Sequence, residues 1–581
     1  MCINGGKNIE KKSILSIIIC ILIIFLSYSS VKGTIYNEKK ENYYNNLIAP
    51  TIVNIKLSDN DWYEYNKILA SDGATQDWFG FSVSIDGNYA IVGASFDDDS
   101  GSNSGSAYIF KRDGTTWIQQ TKLLASDGVE NDFFGCSVSI DGDYAIVGAY
   151  CDDDNGDLSG SAYIFKSEDT TWIQQAKLIA SDGASGDAFG NYVSIDGDYA
   201  IVGAYCDDDN GIWSGSAYVF KREDTTWIQQ AKLLASDGLA NDFFGCSVSI
   251  NDDYAIVGAY YDGDNGLLSG SSYIFKRNGI DWNVEAKLLA SDGSDFDFFG
   301  CSVDISGDYA IIGAYGDDDN GNESGSAYVF KKDGTTWNEE AKLLALDGEE
   351  YDYFSYTVSI DGDNTIIGAY GDDDEGIDSG SAYIFKRVDT NWNEEDKLLA
   401  SDGASSDEFG CSVSIDDKYA IIGARDDSDN GYESGSAYIF KKTSPDLDCS
   451  GSLTWEDIEP RATVTGTINV ENIGESESLL DWKIESYPDW GTWSFDPESG
   501  IDLFAGDKID INVEVIAPDE TETTFTGEVI IANCEDLDDT CTIDISLATP
   551  QGQVKQLPQI IMRFFENNPN LFPLLQRLVG L

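Results

Sequence analysis

The sequence predicts an all-β protein, a seven-bladed β-propeller followed by an immunoglobulin-like β-sandwich. Three observations predict it. A 55-residue period repeats seven times between residues 62 and 445. Each period holds four short runs of strand chemistry bounded by Gly, Asp and Ser. Beyond residue 445 the period stops, while β-branched and aromatic runs between turn residues continue to residue 549.

The chain opens on lysines, then an apolar run from Ile14 to Leu26, then small and polar residues up to Gly33. Residues 1–33 have the layout of a secretory signal peptide, which places the mature protein outside the cytoplasm, secreted or at the cell surface. The alternative is an uncleaved membrane anchor, although the run is shorter than the roughly 20 apolar residues of a span. Residues 34–61, rich in Asn, Tyr and Lys, form a linker. Composition narrows the function. With 104 acidic and 35 basic residues the formal net charge is -69, which repels nucleic acid and excludes it as a partner. The chain has no histidine, which removes the commonest general base and the metal sites built on imidazole.

Residues 62–445 carry the repeat. The stretch "DGDYAIVGAYCDDDN" stands at 141–155 and again at 196–210. Phe-Gly begins at Phe79, Phe134, Phe189, Phe244, Phe299 and Phe409, with Phe354-Ser355 in the sixth copy. Gly-Ala follows fourteen residues later each time, and tryptophans keep the same beat from Trp62 to Trp392. In the second copy the strand runs are Cys136 to Ile140, Tyr144 to Ala149, Ser161 to Lys166 and Trp172 to Ile179, and "DGD" marks a tight hairpin between the first two. Four antiparallel strands in each of seven repeats make a seven-bladed propeller. The series opens on a tryptophan strand and ends on a third strand. Blade seven is therefore expected to combine Trp62 to Ala70 with Phe409 to Lys441, closing the ring with both ends of the repeat.

The segment "FGCSVSIDGDYAIVGAY…SGSAYIFK" resembles the FG-GAP repeat, the blade unit of the integrin α-subunit propeller, and is most similar to its microbial secreted relatives, which continue in "W…KLLASDG". The resemblance implies an extracellular recognition or adhesion scaffold, often stabilised by calcium. One departure stands out: where the family carries its calcium loop, between the Phe-Gly and Gly-Ala strands, this chain has only Asp141-Gly142-Asp143 and its counterparts. Too few oxygens remain there for the six to eight that calcium takes, so that connection is a turn.

A second acidic loop follows Gly-Ala in every copy: Asp97 and Asp99, Asp152 and Asp154, Asp207 and Asp209, Asp262 and Asp264, Asp317 and Asp319, Asp372 and Asp374, Asp427 and Asp429. Alternate aspartates followed by Asn-Gly resemble the start of a calcium loop, and these fourteen residues are the candidate metal ligands. The competing expectation is that they bond backbone amides within turns and form an acidic coat. Antiparallel strands place these loops on the same face as a further aspartate pair in "SDGxxxDxFG", such as Asp127 and Asp132. The basic residues that end the third strands, such as Lys111-Arg112, fall on the opposite face, so the disc is expected to be electrically two-sided.

Residues 446–549 hold strand-like runs at Thr463 to Val470, Ile509 to Val515, Phe525 to Ala532 and Cys541 to Ser546, with Trp482, Trp490 and Trp493 as core or cleft aromatics. Cys534 and Cys541 flank a short acidic loop and are the candidate disulfide pair. Cys136, Cys246, Cys301 and Cys411 share one repeat position and are expected as buried filler. Residues 550–581 form an apolar, arginine-bearing tail with two short helical patterns, suited to an interfacial anchor or to docking on the sandwich. Together these features predict a secreted or cell-surface, non-catalytic protein for recognition or adhesion, with a protein or glycan ligand and calcium as a candidate cofactor. Membrane contact would come through the N-terminal segment or the tail. The alternatives are a carboxylate-dependent glycan-active enzyme and a purely structural cell-envelope module.

Overall fold

A computed structural model describes residues 62–475, 478–534 and 539–550, together with Arg563 and Asn567. The expected signal peptide and linker lie outside the described residues, as does nearly all of the tail. Between residues 62 and 550 the described residues contain strands, turns and loops and no helix.

Seven four-stranded antiparallel sheets occupy residues 62–442. In blade two the strands are Val138–Asp141, Tyr144–Ala149, Ser161–Glu168 and Thr171–Leu178, innermost to outermost. The inner strand begins two residues later than expected; ahead of it Phe134 makes a parallel bridge to Gly105 of the neighbouring blade, and Gly135 N donates to Gly148 O within blade two. The Gly-Ala strand is buried along its whole length in blades three, five and seven. That explains its unbroken apolar sequence, since both faces of a blade pack on neighbours. Each core cluster accordingly lies between two blades: Ile91, Ile109 and Leu123 of blade one pack against Phe134, Val147 and Tyr163 of blade two.

The motif glycines are set by this close approach of backbones. A Cβ on Gly148 would lie 1.9 Å from the carbonyl oxygen of Gly190. Gly190 has φ +92°, and a Cβ there would lie 2.1 Å from the oxygen of Ser161. A side chain at either place would force the facing backbone to shift. In the sixth copy Ser355 takes the Phe-Gly position at φ 73° and anchors its hydroxyl, which donates to Ser326 O at 2.6 Å and accepts from Ala314 N at 2.9 Å.

The ring closes as the repeat phase predicts. Trp62–Ile68 is the outer strand of the last blade and pairs with Ser436–Lys442, in register from Trp62 opposite Lys442 to Ile68 opposite Ala437. Trp62 N donates to Asp396 Oδ2 of blade six at 2.9 Å.

The C-terminal β domain consists of two sheets around one core. One runs Leu447–Gly451, Thr463–Asn472, Lys508–Ile516, Thr492–Asp496; the other runs Leu453–Trp455, Thr540–Ala548, Thr524–Asn533, Leu479–Ser486, Ser499–Phe504. All four anticipated strands are present. Trp482 is a core residue, while Trp490 and Trp493 are half-buried against the core. The disulfide differs from expectation: Cys541 bonds Cys449, with Cα atoms 5.9 Å apart, and so joins the two sheets. Register is the reason. Cys541 lies opposite Ile531 and is packed against the core, whereas Cys534 sits at the exposed hairpin end.

Candidate functional site

The acidic loops and the axis of the ring converge on one face. Every blade there builds the same arrangement from two loops and two strands. In blade two, Lys177 on the outer strand places Nζ 2.9 Å from Asp127, 2.9 Å from Asp152 and 2.5 Å from Asp154. Tyr163 donates its hydroxyl to Asp152 at 2.7 Å and to Asp127 at 3.0 Å. The same five-residue group recurs around Lys122, Lys232, Lys287, Lys342, Lys397 and Lys67, with all lysine–aspartate distances between 2.6 and 2.9 Å.

The fourteen candidate ligands Asp97 to Asp429 are thus brought together pairwise, each pair around an ammonium group supplied by the chain. The first aspartate of each pair is buried, and its other oxygen accepts the amide of the second, as in Asp154 N to Asp152 Oδ1 at 3.1 Å. Burial disfavours the charged form of Asp152, but the bonds from Lys177 and Tyr163 outweigh it, and its pKa is held below the ordinary value. Lys177 is correspondingly raised: burial opposes its charge, and three carboxylate partners more than restore it. Asp132 behaves in the opposite way. Burial raises it to about 6, against the Val129 amide it accepts and helped by the nearby charge of Asp152. Among the described residues no group of three His, Cys, Asp or Glu side chains is arranged to hold a metal ion.

The opposite face is only partly basic. Arg222 stacks on Tyr144 of the preceding blade at 4.4 Å and Arg277 on Tyr199 at 4.3 Å, so these cations clamp blades together. Around the axis the same face is acidic. Each hairpin side chain accepts an amide of the next hairpin, from Gly142 N to Asp86 at 2.8 Å round to Gly87 N to Asp416 at 2.7 Å. The "DGD" connection is a turn, as expected, and it also ties the ring.

The axial cavity opens on the aspartate-loop face between Phe81, Cys136, Tyr192, Tyr356, Cys411 and Arg425, above a wall of serines. The serine oxygens accept amides of the next blade, as in Val138 N to Ser82 at 3.0 Å and Ile140 N to Ser84 at 3.2 Å. Ser249 and Ser412 already donate their hydroxyls, to Asp304 and to Gly80 O, while serines such as Ser82 and Ser84 only accept in these bonds and keep a hydroxyl hydrogen to donate. Here the sevenfold pattern breaks. Core positions are nearly uniform: Tyr108, Tyr163, Tyr218, Tyr273, Tyr328, Tyr383 and Tyr438 are equivalent and fully buried. At the mouth, Arg425 takes a position held by Tyr150, Tyr205, Tyr260, Tyr315 and Tyr370 in other blades. Glu408 stands where Trp78, Phe133 or Phe243 stands elsewhere, and Asp426 where Phe96 or Tyr261 does. Arg425 pairs with Glu408 and lies over the rings of Trp78 at 5.6 Å, Phe81 at 5.8 Å and Tyr370 at 5.9 Å.

The family model for the FG-GAP repeat matches residues 62–110, 117–165, 172–220, 227–275, 282–330, 337–385 and 392–440, more than half of the chain. The chain belongs to the FG-GAP repeat family. Each matched repeat begins with an outer strand and continues into the three inner strands of the following blade, so the FG-GAP unit straddles two blades and fastens each to the next. No curated protein matches the chain. Among solved structures, the ASH/PapD-like domain of human CEP192 (PapD-like domain 7) is similar at 12% identity over 18% of this chain and 87% of that one. Its TM-score is 0.16, and nothing is built on that likeness. In this FG-GAP propeller the mouth of the axial cavity is a place where blades differ from one another in chemistry, as the tips of the aspartate loops are. Sequence reasoning missed it, although "GARDDSDN" beside "GAYCDDDN" displayed the change.

Proposed function

We propose that the protein is a secreted or cell-surface, non-catalytic recognition module that takes its protein or glycan ligand at the axial mouth on the aspartate-loop face. One observation carries this reading: positions that hold the blades together are repeated almost unchanged, while those around the mouth diverge into aromatic, acidic and basic residues. The Cys449–Cys541 disulfide supports an oxidising location. The lysine in each aspartate group supports reading those loops as an internal brace rather than as calcium sites. Glu408 is engaged by Arg425, which supports a binding role over a catalytic one for the one irregular acid pair at the mouth.

The test is a binding screen of the purified chain against extracellular proteins and glycans, with and without calcium at fixed ionic strength. The double variant Trp78→Ala, Tyr356→Ala should keep its melting transition and lose the ligand. A ligand held equally by the variant would move the site away from the mouth.

A further inference from the structure

We infer that the ligand of the axial mouth is a neutral, hydroxyl-rich saccharide, seated against Trp78 and Tyr356 and hydrogen-bonded by Arg425, Glu408 and Asp426. The inference rests on the recognition reading above and adds the chemical class. It follows from what the mouth refuses. An anionic ligand meets Glu408 and Asp426 beside the one guanidinium, on a chain with a formal charge of -69. A cationic ligand would ordinarily be drawn to half-exposed aromatic rings. Here the cation position over three of those rings is already filled by Arg425.

A sugar ring matches what is left. Its C–H face is apolar and packs on aromatic faces, which Phe81 and Tyr356 supply at the opening and Trp78 and Tyr370 supply beside it, around the Arg425 guanidinium. Its vicinal hydroxyls both donate and accept. Arg425 Nη2 is paired with Glu408 Oε2, and Arg425 Nε and Asp426 Oδ1 are closed to solvent, so Nη1 of the guanidinium as donor and the other oxygens of Glu408 and Asp426 as acceptors are the atoms left side by side for a ligand. Below them Tyr192 replaces the Ser or Thr of other blades and narrows the cavity, and the serine wall adds further donors. Asp304, alone among the serines of its level, adds an acceptor while bonded to Ser249 and to Ile360 N. A repeat that places charged residues at two positions that are mostly aromatic elsewhere, and at a third that is Gly, Cys or aromatic elsewhere, has acquired a polar, directional subsite in that one blade.

The experiment uses the full chain on an array of neutral oligosaccharides of glucose, galactose, mannose and N-acetylhexosamines, printed beside sialylated and sulfated ones. The best neutral hit is then titrated by calorimetry. Neutral binding is expected, and the variant Arg425→Tyr, Glu408→Tyr, Asp426→Gly should weaken it at least tenfold. Those replacements are the residues of blade six at the same positions, Tyr370, Tyr353 and Gly371, so the fold has a precedent for them. Should the triple variant not fold, Arg425→Lys serves instead, since it keeps the charge and removes the planar fork. Binding confined to charged glycans, or neutral binding unchanged in the variants, overturns the inference. A protein ligand at the mouth with no neutral glycan bound would overturn it too, and would leave the recognition reading standing.

Discussion

Lys177 holds three carboxylates that would otherwise face one another, and Asp152 among them is nearly excluded from solvent. Removing one partner from such a group leaves buried charge without compensation. Lys177→Met is expected to cost about 3 kcal/mol, read as a fall in the melting midpoint. It also leaves Asp127, Asp152 and Asp154 around an empty cation position. At constant ionic strength, calcium should therefore raise the midpoint of the variant but not that of the native protein; a calcium-dependent rise in the native protein would return the loops to the role of metal sites. The convergence of Asp127 with Asp152 and Asp154 was legible from strand direction alone. The lysine was not, although it precedes each "LLASDG" or its variant at the same spacing, because an excess of 104 acids over 35 bases draws attention to unpaired charge. Arg425 was equally visible as a letter. Its meaning required knowing that the position after Gly-Ala faces the axis.

The loops entering the inner strands set the response to acid. Asp77, Asp132, Asp297, Asp352 and Asp407 are raised to about 6 by burial, with the neighbouring aspartates adding to it. A folded-state value above the unfolded one, near 3.9, means that the native protein binds more protons between about pH 4 and 6, so stability falls as pH rises through that window. Asp72, Asp182, Asp237, Asp292, Asp347 and Asp402 are shifted the other way: burial opposes their charge, but their lysine and tyrosine partners hold them low, and their contribution is lost as pH falls below about 4. The melting midpoint should peak between about pH 4 and 5 and decline on both sides. Asp132→Asn keeps the oxygen that accepts Val129 N and should lessen the neutral limb by one aspartate's share while leaving the acid limb in place. An unchanged neutral limb would remove these aspartates as its cause. At this scale the strands named from the sequence fall within two residues of their places because composition switches sharply at Gly, Asp and Ser, while Leu479–Ser486, Thr492–Asp496 and other strands of the C-terminal domain were not read. Nor was the Cys449–Cys541 pair, because it is fixed by which strands of two sheets face each other, and sequence proximity pointed to Cys534.

For the whole ring the decisive feature is that no blade has a free side: each core lies between two neighbours, and the last is completed by the strand at residues 62–68. The period alone revealed this, since a series that starts on an outer strand and ends on a third strand closes only by joining them. The fastening has its own residue. Asp396 occupies a place held by Ala176, Ala231, Ala286 and Ala341 in other blades, is buried, and accepts the amide of Trp62 at 2.9 Å. Trp62 also donates its indole to Glu395 at 3.2 Å, and Lys442 pairs with the same carboxylate at 2.8 Å. Asp396→Ala introduces a residue the fold tolerates four times over, so it isolates the latch from packing. It leaves the Trp62 amide buried without an acceptor, which costs about 1–3 kcal/mol. Because opening this seam exposes an edge strand and two cores at once, the loss should appear as a lower midpoint for a single propeller transition, with the transition of the C-terminal domain in place. Hydrogen exchange should show amides of Ser436–Lys442 losing protection together with those of the Gly-Ala strands in blades one and seven. An unchanged midpoint, or protection lost only at residues 62–68, would mean that the strand lies on a ring already closed without it.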